Sequence, residues 1–174
     1  MALVVRIATL AALAITLTSC GLQSGVGPQT GDSGVAPSPA PRLSGTTLEG
    51  KRLDIRAWHG HPIVIDWWGS WCGPCRKEQP ELNALAQHFS PRGVHFVGVD
   101  IRDDLASARA YYRDFHVPYT SIFDPGEATA GAWGIEAPPT IVVVDASGNI
   151  RSRFLGTLTG IEALLTSLLG KGGD

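Results

Sequence analysis

The chain has 174 residues, enough for one domain of ordinary size and tight for two. Fourteen Lys and Arg against sixteen Asp and Glu leave a net charge of −2, which argues against a nucleic-acid-binding module, normally marked by a basic excess. Charged residues are only 17%, but residues 1–41 carry just Arg6 and Asp32, so the shortfall belongs to a leader and leaves an ordinary globular remainder.

The leader comes first in chain order. Arg6 is followed by an apolar run from Ile7 to Leu17. That run is short for a hydrocarbon core, which needs about 20 apolar residues. A positive start, a short apolar stretch and small residues after it read as a secretory signal over 1–19. Leu17-Thr18-Ser19-Cys20 resembles the bacterial lipobox, whose cysteine receives diacylglycerol. Cys20 is then the first mature residue and a lipid attachment point. Several acyl chains anchor stably where one is marginal. A plain secreted protein and an uncleaved anchor are the alternatives. Residues 20–42 are read as the lipidated cysteine and a flexible linker: 21–41 hold five Gly, four Pro and three Ser without hydrophobic periodicity.

A domain is expected over 43–170, with a tail at 171–174. Leu43–Leu48 and Lys51–Leu53 flank Glu49-Gly50 as an entry hairpin. Ile55–Trp58 forms a short helical turn. Pro62–Trp68 is a nearly continuous apolar run and predicts a strand buried on both faces. A helix follows over about Cys72–Phe89, with Pro80 expected to kink it. Val94–Val99 is a second buried strand. Asp103 or Asp104 starts a helix running to about Phe115. Pro118–Phe123 is a short strand, Glu127–Trp133 a short helix, and Thr140–Val144 a third strong strand. Ser147-Gly148-Asn149 turns into Ile150–Leu155, and Thr159 is the expected N-cap of a last helix. The order indicates an α/β sheet covered by helices on both faces.

The chemistry is concentrated in Trp71-Cys72-Gly73-Pro74-Cys75, where a buried strand passes into a helix. Unpaired N–H groups and the macrodipole at a helix start favour a thiolate on Cys72, below the free thiol value of about 8.5. Cys75, one turn on, can resolve a mixed disulfide. Gly73 admits a substrate backbone, and Pro74 suits a first turn. A structural zinc site needs four ligands, and the five histidines (59, 61, 88, 95, 116) show no paired spacing, so no metal is expected. Haem attachment needs His after the second cysteine, and residue 76 is Arg. A purely structural disulfide closing so short a loop adds little stability. Asp66, a carboxylate inside an apolar strand, is expected to be desolvated with a raised pKa.

Ile63–Cys75, with Ala137-Pro138-Pro139-Thr140 before a strand, resembles the thioredoxin superfamily. Residues 43–169 are similar to its extracytoplasmic TlpA/ResA-like branch of thiol-disulfide oxidoreductases, with room for that branch's central insert around 101–123. The resemblance implies a thioredoxin-like α/β fold: a central mixed sheet flanked by helices, with an N-terminal hairpin. It implies that Pro139 is a cis-proline facing the cysteines. It also implies that Trp71, Gly73, Pro74, Pro138, Pro139 and Thr140 meet an extended substrate. Pro138 departs from the commonest pattern. Asp66 matches the buried acid of thioredoxin that assists deprotonation of the second cysteine, where much of the branch has a neutral residue. Glu78 reads as a helix-face charge. Asp103 falls near a functional acid of the branch and equally fits an N-cap.

The expected activity is reduction of protein disulfides, with apocytochrome c the substrate class the resemblance suggests. No cofactor is expected. The expected partners are extracytoplasmic protein substrates and a membrane thiol-disulfide donor, with no nucleic acid, and the protein is expected to be a monomer. An oxidase that forms disulfides in exported proteins uses the same residues with the flow reversed. A non-catalytic anchored binding module is the alternative from another class, and a peroxidase the weaker enzyme alternative.

Overall fold

The computed structural model describes residues 37–170. The predicted signal, Cys20, most of the linker and the tail lie outside the described residues. The chain runs through strand β1 (Ser38–Pro39), the hairpin β2 (Ser44–Thr46) and β3 (Arg52–Asp54), a 3-10 turn (Ile55–Trp58), and β4 (Ile63–Trp68). Helix α1 (Gly73–Phe89), β5 (His95–Ile101), α2 (Leu105–Phe115) and β6 (Thr120–Asp124) follow. The antiparallel pair β7 (Thr140–Val144) and β8 (Asn149–Leu155) leads to α3 (Ile161–Gly170).

Six strands form one mixed sheet in the order β1-β8-β7-β4-β5-β6. Strands β4, β5 and β6 are parallel; β7 runs antiparallel to β4. The continuous apolar run of β4 reflects its central place, because every one of its residues is buried. Alternation along the strand then sorts the side chains. Ile63, Ile65 and Trp67 point into one core cluster with Val97, Val99, Ile101 and Val142. Val64 and Trp68 point to the other face, where Leu82, Phe89 and Leu165 or Cys72, Cys75 and Tyr111 cover them.

The three α-helices among the described residues pack on this second face. The first face is covered by Leu43, Ile55, Ala130, Trp133 and Ile135 from the entry segment and the stretch before β7. The expected helical cover of both faces is therefore one-sided for α-helix. The reason lies at Glu127–Trp133, where the pattern predicts a short helix. This segment is a run of turns, with Trp133 N–H bonded to Ala130 and Gly134 N–H to Gly131. Asp124 takes the N–H groups of Ala128 and Thr129 and the Thr129 hydroxyl, and Gly134 has φ +62°. Those bonds and that left-handed residue replace the i→i−4 ladder.

Three smaller differences concern ends. Ser38 and Pro39, within the expected linker, pair with Ile150 and Asn149 at the sheet edge, a position that tolerates proline. The Thr159 hydroxyl accepts from Thr157 rather than from the helix, and α3 starts at Ile161 after Gly160 at φ +90°. Helix α1 carries Pro80 inside one continuous element. The hairpin lies over the β6 edge, where Leu48 N–H reaches the Ser121 carbonyl, so the outermost strand is not left open.

Candidate active site

β4 delivers the chain to Gly69-Ser70-Trp71, and Cys72 caps α1 with its sulfur accepting from Cys75 N–H at 3.2 Å. Pro74 sits in the first turn, where its missing N–H is one of the unpaired donors anyway. Cys72 and Cys75 are joined by a disulfide with Cα atoms 5.3 Å apart, and both are buried. Gly73 and Pro74 are exposed beside it. The bond between Pro138 and Pro139 is cis, as the resemblance implies.

The residues expected to meet substrate fall on two sides of β4. Thr140 opens β7 opposite Trp67, so Pro138 and Pro139 stand at the redox end of the sheet on the β7 side. Trp71, 50% exposed, leans to the β5 side: its indole donates to the Ile101 carbonyl at 3.3 Å and Arg102 lies 4.9 Å from its ring centre. Thr140 is 2% exposed and its hydroxyl donates to the Ala137 carbonyl at 2.7 Å. Its side chain braces the Pro-Pro loop and is not presented to substrate. A groove of about 360 Å³ runs beside the disulfide, lined by Pro74, Lys77, Glu78, Glu81 and Gly156–Thr159.

Asp66 lies in the middle of β4, opposite Gly98 and Ile141, on the face that α1 covers. Burial pushes its carboxyl up to about 8, the charge of Glu78 adds to that, and a hydrogen bond from the Tyr119 hydroxyl at 3.2 Å opposes it. Glu78 is half-buried and rises to about 7, through burial and then the neighbouring Glu81. The charge of Glu78, on α1, thus acts on Asp66. Asp103 is not the α2 cap; Asp104 is, accepting from Ala106 and Ser107 N–H. Asp103 instead binds Ser70, through its N–H at 2.6 Å and its hydroxyl at 3.0 Å.

Four residues here are not singled out by the sequence reading. Gln79 donates to the Tyr119 hydroxyl at 2.9 Å, and the Tyr111 hydroxyl lies 3.1 Å from Gln79 Oε1 and 3.2 Å from the Cys75 carbonyl. A polar chain therefore links Asp66 to the backbone of Cys75. No local signal marks these three as polar contacts, because their partners lie 32 to 53 residues away. The fourth, Asp100, has a signal: like Asp66 it interrupts an apolar strand. Gly98 between them permits close approach. A Cβ there would sit 2.5 Å from Tyr112 Oη, 2.7 Å from Ser121 Oγ and 2.8 Å from Trp68 Nε1. Among the described residues, no group of three His, Cys, Asp or Glu could hold a metal ion.

A disulfide at a helix start, a cis-proline at the same sheet end and a buried acid under the helix form an arrangement suited to thiol-disulfide exchange. Known proteins agree. Residues 33–167 match the Redoxin family. The chain is 27% identical over 120 residues to thiol-disulfide oxidoreductase ResA of Bacillus thuringiensis (strain Al Hakam), covering 69% of each chain. It is 34% identical over 123 residues to thiol:disulfide interchange protein HelX of Rhodobacter capsulatus, covering 70% of this chain and 68% of that one. The crystal structure of a thiol:disulfide interchange protein of the thioredoxin family from Chlorobium tepidum TLS superposes with a TM-score of 0.70 at 27% identity, over 78% of this chain and 99% of that one. The chain belongs to the Redoxin family and is a TlpA/ResA-like thiol-disulfide oxidoreductase of the thioredoxin superfamily.

Proposed function

We propose that this oxidoreductase works outside the cytoplasm, anchored through lipidated Cys20, and reduces protein disulfides with Cys72 and Cys75. The observation that carries the reading is the Cys72–Cys75 disulfide at the start of α1, with the acid Asp66 buried on the sheet face that α1 covers. In the reduced form, the Cys72 thiolate attacks a substrate disulfide. One substrate sulfur leaves as a thiolate and takes a proton, and a Cys72–substrate disulfide forms. Cys75 then gives its proton to Asp66 and attacks Cys72. The second substrate sulfur leaves and is protonated in turn. The substrate has gained two electrons and two protons, and the protein is left in the oxidised form seen here. A membrane thiol-disulfide donor returns the electrons.

An acid held near 8 suits this work, because it must take and return a proton close to neutral pH. Trp71, Gly73 and Pro74 adjoin the cysteines in the chain, Pro138 and Pro139 stand at the same end of the sheet, and together they receive an extended substrate segment, with Thr140 holding the Pro-Pro loop. The Gly-Pro dipeptide between the cysteines is the thioredoxin type and supports a reducing poise. Apocytochrome c is the substrate class the family resemblance supports. No helix among the described residues is long and apolar enough to cross a membrane. The lipobox-like Leu17–Cys20 is what supports anchoring through Cys20.

Cys75→Ser tests the exchange step. It is expected to accumulate covalent complexes with exported proteins, and their absence would reject exchange in favour of a binding module. The reduction potential tests the direction: a value near about −120 mV lies in the oxidant range and overturns the reductive reading. Cys20→Ser is expected to move the protein from the membrane to the soluble fraction.

A further inference from the structure

Asp100 lies on β5 between Trp68 of β4 and Phe123 of β6, and its side chain shares the sheet face of both cysteines. It is 0% exposed, and neither carboxyl oxygen receives a hydrogen bond from a donor among the described residues. An ionised carboxylate without donors in such a place is strongly disfavoured. The group with which a protonated Asp100 can share a hydrogen bond is another carboxyl, that of Asp103. Two carboxyl groups can share a hydrogen bond only when one keeps a proton. Asp103 is already committed as an acceptor. Its Oδ2 takes the Ser70 N–H at 2.6 Å, and its Oδ1 takes the Ser70 hydroxyl at 3.0 Å and the Asp104 N–H at 2.9 Å. The proton therefore resides on Asp100.

We infer that Asp100 is a positioning residue for the redox loop: it keeps its proton and donates it to Asp103, which holds Ser70 two residues ahead of Cys72. The end of β5 secures this loop twice, since the Ile101 carbonyl also receives the Trp71 indole N–H. The consequence for catalysis rests on exchange through Cys72, as proposed above; the geometry does not. Burial pushes Asp100 up to about 9, and the charges of Asp103 and Asp104 add to this. Tyr112 of α2 faces it too, itself raised first by burial. From β4 and β6 the register neighbours are Trp68 and Phe123, which bring no charge. Once Asp100 ionises, its hydrogen bond to Asp103 is replaced by repulsion, and the grip on Ser70 loosens.

The test is a pH titration of the isotope-labelled full chain by NMR. In the unmodified protein, the Asp100 carboxyl carbon is expected to report the neutral acid at pH 7. The Ser70 amide proton is expected to move in step with Asp100 as it ionises at alkaline pH. Asp100→Asn, which can donate but cannot titrate, is expected to keep the Ser70 signal of pH 7 and lose its alkaline movement. Asp100→Val is expected to lose the hydrogen-bonded Ser70 signal already at pH 7. An ionised Asp100 at pH 7, or a Ser70 amide that ignores its titration, overturns the inference without any variant. A Ser70 amide that still titrates like the parent's in Asp100→Asn does so as well. In turnover, with insulin reduced at the expense of dithiothreitol, the rate of the parent relative to Asp100→Asn is expected to fall several-fold between pH 7 and pH 9.5. A constant ratio overturns the inference. Absence of insulin reduction by the parent at every pH counts against the exchange function instead, and leaves the amide titration as the judge of the positioning role.

Discussion

Asp66 and Asp100 occupy the same face of the sheet, on neighbouring central strands, and burial raises both carboxyl groups far above their ordinary range. Their partners differ. Asp66 receives a hydrogen bond from Tyr119, keeps 4% exposure and is coupled to the half-buried Glu78 at the groove. Asp100 has no donor among the described residues, no exposure, and a carboxyl for a neighbour. Desolvation alone therefore does not tell what a buried acid is for. A donor and a route to solvent suit a proton that comes and goes. A carboxyl acceptor in a closed place suits a proton that stays.

The two acids are expected to differ most at Asp66. Asp66→Asn removes the acceptor for the Cys75 proton and is expected to lengthen the life of the mixed disulfide by about 10²-fold, the low end for general acid-base catalysis. Rapid quenching with a disulfide peptide measures that life, and a change under about threefold would deny Asp66 its separate role.

Stability against pH comes next. Both folded values lie above the ordinary carboxyl value of about 4, so each group's contribution is fully present below that pH. It is lost as pH rises, through about 8 for Asp66 and about 9 for Asp100. Asp66→Asn and Asp100→Asn are each expected to flatten this decline by about 4 kcal/mol between pH 5 and pH 9, read from urea unfolding. A slope that neither variant changes would show that both acids titrate normally.

Gly98 separates the two acids in the register, and Gly98→Ala drives a methyl into Tyr112, Ser121 and Trp68. The expected loss is about 1–3 kcal/mol of unfolding free energy, with both acids disturbed together. An unchanged urea midpoint would mean that the three neighbours yield easily.

The smallest effect sharpens the difference in donors. Tyr119→Phe removes the bond that favours ionised Asp66. Its pKa is then expected to rise further, by about 0.7 unit for a hydrogen bond of about 1 kcal/mol. The Asp66 carboxyl carbon shift reads this directly, and a downward shift would reverse the assigned role of Tyr119.

Much of this is legible in the chain itself. A strand buried on both faces must be apolar nearly throughout, so Pro62–Trp68 declares both a central strand and an intruder, Asp66. Cysteines three apart at a strand-to-helix passage specify their own chemistry, because adjacent geometry suffices to join them. The same reasoning reaches Asp66 and extends to Asp100, which the sequence reading passes over although it interrupts Val97-Gly98-Val99 and Ile101 in a similar way. The expected helix at Glu127–Trp133 fails for a nearby reason: its N–H groups close turns three residues back, Ala130 onto Glu127 and Trp133 onto Ala130, and Glu127 and Gly134 both have left-handed φ.

What the amino-acid order determined by itself was the redox pair, the strands that bury it and the presence of an acid among them. All of these depend on residues within about one element of each other. The tertiary structure alone decided the partners. Tyr119 meets Asp66 across 53 residues, and Asp103 meets Ser70 across 33. A pattern read along the chain registers burial through composition. Which proton each buried acid keeps or yields depends on the hydrogen-bonding groups that other strands and helices bring to it.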